Sequence, residues 1–253
     1  MLVLLTNDDG ISALGIQELR LAFEPLARVF LVAPDRERSA TGHGITMHKP
    51  LRVEKKCFGN KSTGYAVSGT PADCVKLALE KLLPERPDLV ISGINRGSNL
   101  GTDVLYSGTV SAALEAIING IPSVAISLDF DVLGNFKTAA DFATRLAILM
   151  LEHPIPQNTL LNVNVPDLKK DEIKGVKATK LGLRRYVNSV EERTDPRGRE
   201  YYWLGGNIED ISEDDTDLSA VRQQYISITP LHYDLTNYSV IQQIKDWEMK
   251  LTP

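Results

Sequence analysis

Two carboxylates, Asp8 and Asp9, stand side by side directly after the apolar run Leu2-Val3-Leu4-Leu5 and just ahead of Gly10. Adjacent acids at a strand exit repel each other; a hard cation between them removes the repulsion and gains two anionic oxygen ligands. Neighbours in a regular strand point to opposite faces, so both reach one ion only where the strand has given way to a turn, which Gly10 permits. The reading that competes with this one makes one acid a helix N-cap and leaves the other solvated. A second polar stretch, residues 34–44, brings Ser39 as an oxygen donor and Arg36 and Arg38 as partners for a phosphate. Its rival is a surface loop whose arginines pair with Asp35 and Glu37. His43 and His48 have no carboxylate or histidine at a metal spacing and read as local hydrogen-bonding residues. A third stretch, residues 92–103, spaces Gly93, Gly97 and Gly101 four apart, which suits close backbone approach to a ligand. At about fifteen residues from strand to helix it exceeds an ordinary connection. It leads into Ser107-Gly108-Thr109, where small residues, free amides and the positive end of a helix dipole form an anion site, compatible with capping by Ser107 or Thr109.

These loops need strands and helices to bring them together. Residues 2–5 read as a buried strand, 13–24 as a helix punctuated by Pro25, and 28–33 as a second strand. A chain opening β-loop-α-β implies a parallel sheet with right-handed crossovers. After an excursion of short β-like pieces over 34–69, Thr70-Pro71-Ala72-Asp73 reads as a capped helix start, with the helix running to about Leu83. Strands at 88–92, 122–128 and 160–165 alternate with helices at 109–119 and 136–152, with a polar loop over 93–108. Ligands of such open sheets bind at the carboxyl ends of the strands, where all three polar loops lie. Beyond Pro166 the pattern changes. Residues 176–204 suggest an exposed hairpin or arm, 209–217 an acidic solvated loop, 223–229 a strand and 239–248 an amphipathic helix. The expected fold is a three-layer α/β/α core over about residues 1–170 with a β-rich C-terminal extension over about 171–253, in a single domain.

Composition narrows the function classes. The 253 residues are 43% hydrophobic and 24% charged, enough for a sizeable core. A net charge of −5 and no basic patch argue against binding a nucleic-acid polymer. Cys57 and Cys74 fit neither a zinc spacing nor a disulfide framework and read as small buried hydrophobes in a reducing compartment. No window approaches the ~20 apolar residues of a membrane helix, and the apolar start is too short for a signal peptide, so a cytoplasmic protein is expected. Asp35 stands where a dinucleotide-binding fold puts its ribose acid, yet the first turn holds two acids where G-x-G-x-x-G would be needed. No phosphate-loop G-x-x-x-x-G-K-[ST], Asp-x-Asp pair after strand one or G-x-S-x-G elbow is present. A metal-dependent phosphatase remains, with a nucleotide- or phosphate-binding regulator without turnover as the alternative.

The segments Leu5-Thr6-Asn7-Asp8-Asp9-Gly10, Ala33-Pro34-Asp35-Arg36 through Ser39 with Gly42-His43-Gly44, and Ser68 through Val75 together resemble the SurE survival-protein family of nucleotidases. So do Ser92 through Gly101, Tyr106 through Val110, Thr216-Asp217 and Ser227 through Leu231, all in the family's order. The resemblance implies a Rossmann-like α/β core, a divalent cation (magnesium or manganese) and hydrolysis of nucleoside 5′- and 3′-monophosphates, in some members also of short polyphosphate. Carried over residue by residue, it implies Asp8, Asp9, Ser39 and Asn95 as metal ligands, with Asp8 or Asp9 as base. Asn95, Ser107, Gly108 and Thr109 would then hold the phosphate. It also implies a homodimer or homotetramer assembled through the C-terminal region.

Overall fold

A computed structural model of the chain describes residues 1–58, 62–130, 134–188, 190–211 and 213–247. In chain order the elements are β1 (Leu2–Thr6), α1 (Leu14–Phe23), β2 (Arg28–Pro34), β3 (Val53–Phe58), β4 (Ser62–Val67) and α2 (Pro71–Leu77). Next come β5 (Leu89–Arg96), α3 (Gly108–Ile118), β6 (Ser123–Asp129), α4 (Phe136–Glu152), β7 (Thr159–Pro166) and β8 (Gly175–Ala178). The chain ends with β9 (Leu183–Val187), β10 (Val190–Thr194), β11 (Glu200–Leu204), β12 (Asn207–Ile211), α5 (Asp217–Arg222), β13 (Tyr225–His232) and α6 (Tyr238–Lys245).

Nine strands form one sheet in the order β3-β4-β2-β1-β5-β6-β7-β13-β8. The pairs from β4 through β7 are parallel; β3 runs antiparallel to β4, and β13 antiparallel to β7 but parallel to β8. Alternation along the central strands builds the layers. Val3 and Leu5 pack with α1 and α4 residues such as Ile16, Phe23, Ala143 and Leu146, whereas Leu4 packs with Cys74, Val75, Ala112 and Ala116 of α2 and α3. Strands β2 and β5 divide the same way, with Leu31 and Ile91 facing one layer and Val32 and Val90 the other. This is why these strands read as continuous apolar runs, as expected of a parallel sheet covered on both faces. Each fully buried Leu or Ile contributes about 1.5–3 kcal/mol. Helix α1 approaches β5 so closely that a Cβ at Gly15 would lie 1.9 Å from the Ile94 carbonyl oxygen, so only glycine fits there.

The expected three-layer core and its order of strands and helices are observed. Differences fall at the ends of elements, in the later chain, and at Cys57, which the edge strand β3 leaves exposed whereas Cys74 is buried as expected. Thr70 caps α2 in a reciprocal box with Asp73, as its sequence implies, but the helix widens into a π-helical turn over Ala78–Leu82. Strand β5 does not stop at Ser92: it shifts register against β6 between Ser92 and Asn95 and continues to Arg96. The expected arm divides differently from a simple hairpin, since β9 pairs with β12 and β10 with β11. The acidic stretch over 209–217 is a solvated loop only at Glu213, Asp214 and Asp215, which are exposed. Asp210 accepts from Arg184 (2.7 Å) and Arg222 (2.7 Å), and buried Asp217 accepts from the backbone amides of Gly101, Gly182 and Leu218. Its residue 212 lies outside the described residues, as do residue 189 of the arm, residues 59–61 of the excursion and residue 248 of the expected last helix. No helix among the described residues is long and apolar enough to cross a membrane.

Candidate functional site

The chain runs from β1 outward to β2, on to β3 at the edge and back to β4 between them, then returns to lay β5 on the other side of β1. This reversal opens a crevice beyond the carboxyl ends of β1 and β5, the usual ligand position in doubly wound sheets. Asp8 and Asp9 follow β1, Asn95 and Arg96 end β5, Ser39 lies past β2, and Ser107 opens α3. All of them line one cavity of about 520 Å³.

Asp8 is 4% exposed and takes a hydrogen bond from the Thr109 hydroxyl at 2.5 Å. Burial pushes its carboxyl from 3.8 up to about 6; the Thr109 hydrogen bond opposes this and the neighbouring Asp9 charge adds to it. Asp9 is half-buried, accepts from the Arg96 amide at 3.1 Å, and is also raised, by burial first. Two carboxylates thus share a poorly solvated pocket, and the nearby Arg96 compensates only in part. Glycine at 108 is what lets α3 come this close: a Cβ there would lie 2.8 Å from Asp8 Cβ and 2.9 Å from Asp8 Oδ2.

Asn95 donates its Nδ2 to the Gly97 carbonyl at 2.8 Å, which turns its Oδ1 into the acceptor still available. Ser39 Oγ sits on the exposed rim and donates to Glu37 Oε1 at 2.7 Å. Ser107 caps α3 by accepting from the Val110 amide at 3.1 Å, leaving its own hydroxyl proton for a ligand. Thr109 is fully buried and spends its hydroxyl on Asp8. Beneath the crevice, Asn99 is locked by Asn164 Oδ1 on its amide, by Ser127 on its side chain, and by Asn162 and Asn164 on its carbonyl.

The expectation that Arg36 or Arg38 faces the phosphate is not met. Residues along 36–39 alternate: Glu37 and Ser39 line the crevice, while Arg36 and Arg38 line a separate cavity with Lys49 and Arg52. Arg38 pairs there with Asp35 at 3.3 Å. The cation in the crevice is Arg96. His43 is a hydrogen-bonding residue, but its partner is not local: it bonds Glu115, far along the chain in α3, at 3.0 Å. Burial raises the Glu115 carboxyl, but hydrogen bonds from His43 and Asn119 outweigh it and leave the group below its ordinary value.

Sequence reasoning missed the wall opposite Arg96. Tyr186, from β9, lines the crevice and donates to Asp103 at 3.0 Å, and Arg184 holds the same Asp103 at 3.0 Å. Nothing near Tyr186 in sequence signals a site; only the pairing of β9 with β12 and its anchoring on the 101–105 turn bring it there.

With this geometry in hand, similarity to other proteins can be weighed. The family model described as "Survival protein SurE" matches residues 3–188. A protein named 5′-nucleotidase SurE from Heliobacterium modesticaldum is 57% identical over 98% of this chain and 92% of its own length. One of the same name from Moorella thermoacetica is 56% identical over 100% of this chain and 98% of its own. The crystal structure of the SurE protein from Aquifex aeolicus superposes with a TM-score of 0.85 at 43% identity, covering 98% of this chain and 100% of that one. By sequence along its whole length and by fold, the chain belongs to the survival protein SurE family.

Proposed function

We propose that this chain is a phosphoric monoester hydrolase that acts on nucleoside 5′- and 3′-monophosphates and on short polyphosphate, with a divalent cation held by Asp8, Asp9, Ser39 and Asn95. The observation that carries the reading is the carboxylate pair, Asp8 buried and Asp9 half-buried, facing a capped helix start across one cavity. The names of the relatives, 5′-nucleotidase SurE, support the reaction class. The donor chemistry fits the cation. No group of three or more His, Cys, Asp or Glu side chains that could hold a metal occurs among the described residues, so the set would be two carboxylates completed by the neutral oxygens of Ser39 and Asn95. An all-oxygen set suits magnesium or manganese rather than zinc. When bound, such a cation neutralises the carboxylates and polarises the phosphate.

The chain's own groups do the rest. The amides of Ser107, Gly108 and Thr109 sit at the positive end of α3 and, with the Ser107 hydroxyl, take the phosphate oxygens. Thr109 holds Asp8 in place. Asp9, the more exposed acid, accepts the proton of the attacking water, with Asp8 as the alternative base. We read the chain as a single domain, core about 1–170 and extension about 171–253, that assembles as a homodimer or homotetramer in the cytoplasm. Self-association is supported by the exposed aromatic strand β11 and by α6, which buries none of its residues.

The test is a panel of phosphate monoesters and short polyphosphates assayed for phosphate release with added magnesium or manganese and after exhaustive chelation. Release that requires the cation is expected. Binding of nucleotide without phosphate release would favour the regulator, and undiminished activity in chelator would remove the cation site.

A further inference from the structure

His43 and Glu115 stand outside the chemistry described so far, yet they join two of its parts. Glu115 lies on the helix that presents Ser107, Gly108 and Thr109 to the crevice, about two turns further along α3. Its side chain is only 8% exposed, and three side chains meet on its carboxylate: His43 Nε2 on Oε2 at 3.0 Å, with Asn119 Nδ2 at 3.1 Å and Lys76 of α2 at 3.7 Å on Oε1. A carboxylate accepts and does not donate. Nε2 of His43 therefore carries the proton of this bond, and does so whether or not Nδ1 is protonated as well.

His43 belongs to the loop that carries Ser39. At the start of that loop the Arg38 amide donates to the Asp8 carbonyl at 2.7 Å. Further on, the Gly42 amide donates to the Tyr106 carbonyl at 3.0 Å, the Thr70 hydroxyl to the Gly44 carbonyl at 2.7 Å and the Thr46 amide to Asp73 at 3.0 Å. Between these anchors Ser39, Ala40 and Thr41 are exposed, and the side-chain hydrogen bonds stay within the loop, from Ser39 to Glu37 and from Thr41 to the Arg38 carbonyl. The stretch does not favour its own shape. Ala40 holds φ at 53°, in the left-handed region that a side chain disfavours, so its conformation is imposed by the anchors. Of these, His43 is the one whose side chain reaches from the loop to α3. Resting on the reading of Ser39 as a cation ligand, we propose that His43 and Glu115 are positioning residues for it. Their hydrogen bond fixes the loop to the same helix that takes the phosphate, so the Ser39 hydroxyl, the Asp8 carboxylate and the amides of Ser107, Gly108 and Thr109 keep one spacing. The pair acts on affinity for the cation and the phosphate ester, and leaves the chemical step to the groups in the crevice.

The test uses His43→Ala, Glu115→Ala, the two together, and His43→Gln, whose amide nitrogen takes the place of Nε2. The His43 side chain is 31% exposed, so its replacement leaves the core intact. The first readout needs neither cation nor substrate: trypsin cleavage after Arg36 and Arg38 in chelator, scaled to cleavage after the exposed Arg197 between β10 and β11. The second is cation affinity by calorimetry, and the third is KM against kcat for adenosine 5′-monophosphate. His43→Ala is expected to speed loop cleavage, weaken the cation and raise KM, each about tenfold, the worth of a hydrogen bond to a charged group, with kcat within about twofold. His43→Gln restores all three, and Glu115→Ala adds little to His43→Ala, as for two members of one contact. In a Ser39→Ala background His43→Ala weakens the cation no further. Unchanged cleavage and affinity in His43→Ala overturn the proposal, as does a loss of affinity as large without Ser39 as with it. A fall in kcat alone overturns it too, since His43 would then serve the chemistry directly. If the wild type binds no cation, the cation reading itself fails, and loop cleavage decides whether the pair holds the loop.

Discussion

Replacing Asp8 with Asn should make the cation-free protein more stable at neutral and alkaline pH. Burial first, and then Asp9, hold the Asp8 carboxyl at about 6 instead of 3.8. A raised carboxylate pKa means that the folded state binds the proton more tightly than the unfolded state, so stability falls as pH rises between the two values and is flat above the folded one. At about 1.4 kcal/mol per unit, ionising Asp8 in the empty site costs the fold about 3 kcal/mol above pH 7. The carboxamide removes that cost, keeps an oxygen for the Thr109 hydroxyl, and gives up part of a charge-assisted hydrogen bond worth roughly 1 kcal/mol. A net gain of about 2 kcal/mol corresponds to an upward shift in Tm of about 4–8 °C for a chain of this size. The assay is thermal unfolding in chelator from pH 4 to pH 9 for both proteins. The wild type should lose stability between pH 4 and 6 while the variant loses less, and saturating magnesium or manganese should reverse the order, because a ligand stabilises only the form that binds it. A variant no more stable than wild type at pH 8, with the same slope between pH 4 and 6, would refute the picture of a carboxylate pair strained in the absence of its cation.

Other substitutions test the same site from different sides. Asn95→Asp adds a third negative charge among the proposed ligands; calorimetry should show tighter cation binding while kcat/KM for a nucleoside monophosphate falls at least about tenfold through repulsion of the phosphate. Gly108→Ala favours the helix by up to about 1 kcal/mol in propensity, yet its methyl would press on Asp8, so circular dichroism should stay unchanged while kcat/KM drops. Arg184→Ala leaves Asp103 with only Tyr186 and Asp210 with only Arg222 among the partners named above, and should cost about 1.5–3 kcal/mol in denaturant unfolding. Light scattering at micromolar concentration should give a dimer or tetramer, and a monomer would count against assembly through the exposed C-terminal strands.

The central sheet was legible because its strands are buried on both faces, and residues such as Leu2-Val3-Leu4-Leu5 advertise that without help from any partner. Asp8, Asp9 and Ser39 were legible for a related reason: each follows a strand at the end where loops of this fold converge. Asn95 was a candidate and does line the crevice, but its setting was not legible. Gly93 and the residues around it read as loop, yet the chain resumes pairing with β6 at Asn95 and Arg96 after a register shift that no local pattern encodes. The arginines of residues 36–38 were misplaced because sequence gives their proximity to the site and not their side; the bend and turn after β2 send alternate side chains to separate cavities. Asp210 and Asp217 look like solvated acids until Arg184, Gly101 and Gly182 are brought to them across long stretches of chain.

Charge connects these local findings. The crevice carries Asp8, Asp9, Glu37 and Asp103, and Asp103 is offset by Arg184, which leaves Arg96 against three acids. A phosphate dianion does not enter such a pocket on the strength of one arginine and a helix dipole, whose worth is about 0.3–2 kcal/mol. Nor is Asp8 free to lose its charge by protonation at pH 7, since its carboxyl is raised only to about 6. The helix start cannot serve the phosphate alone, because Thr109 already commits its hydroxyl to Asp8. Neutral donors at Ser39 and Asn95 then have a purpose that carboxylates there would defeat. In the proposed site they would complete a coordination shell without adding charge, so that a divalent ion would cancel Asp8 and Asp9 and the amides of α3 would meet the substrate in a field no longer set against it.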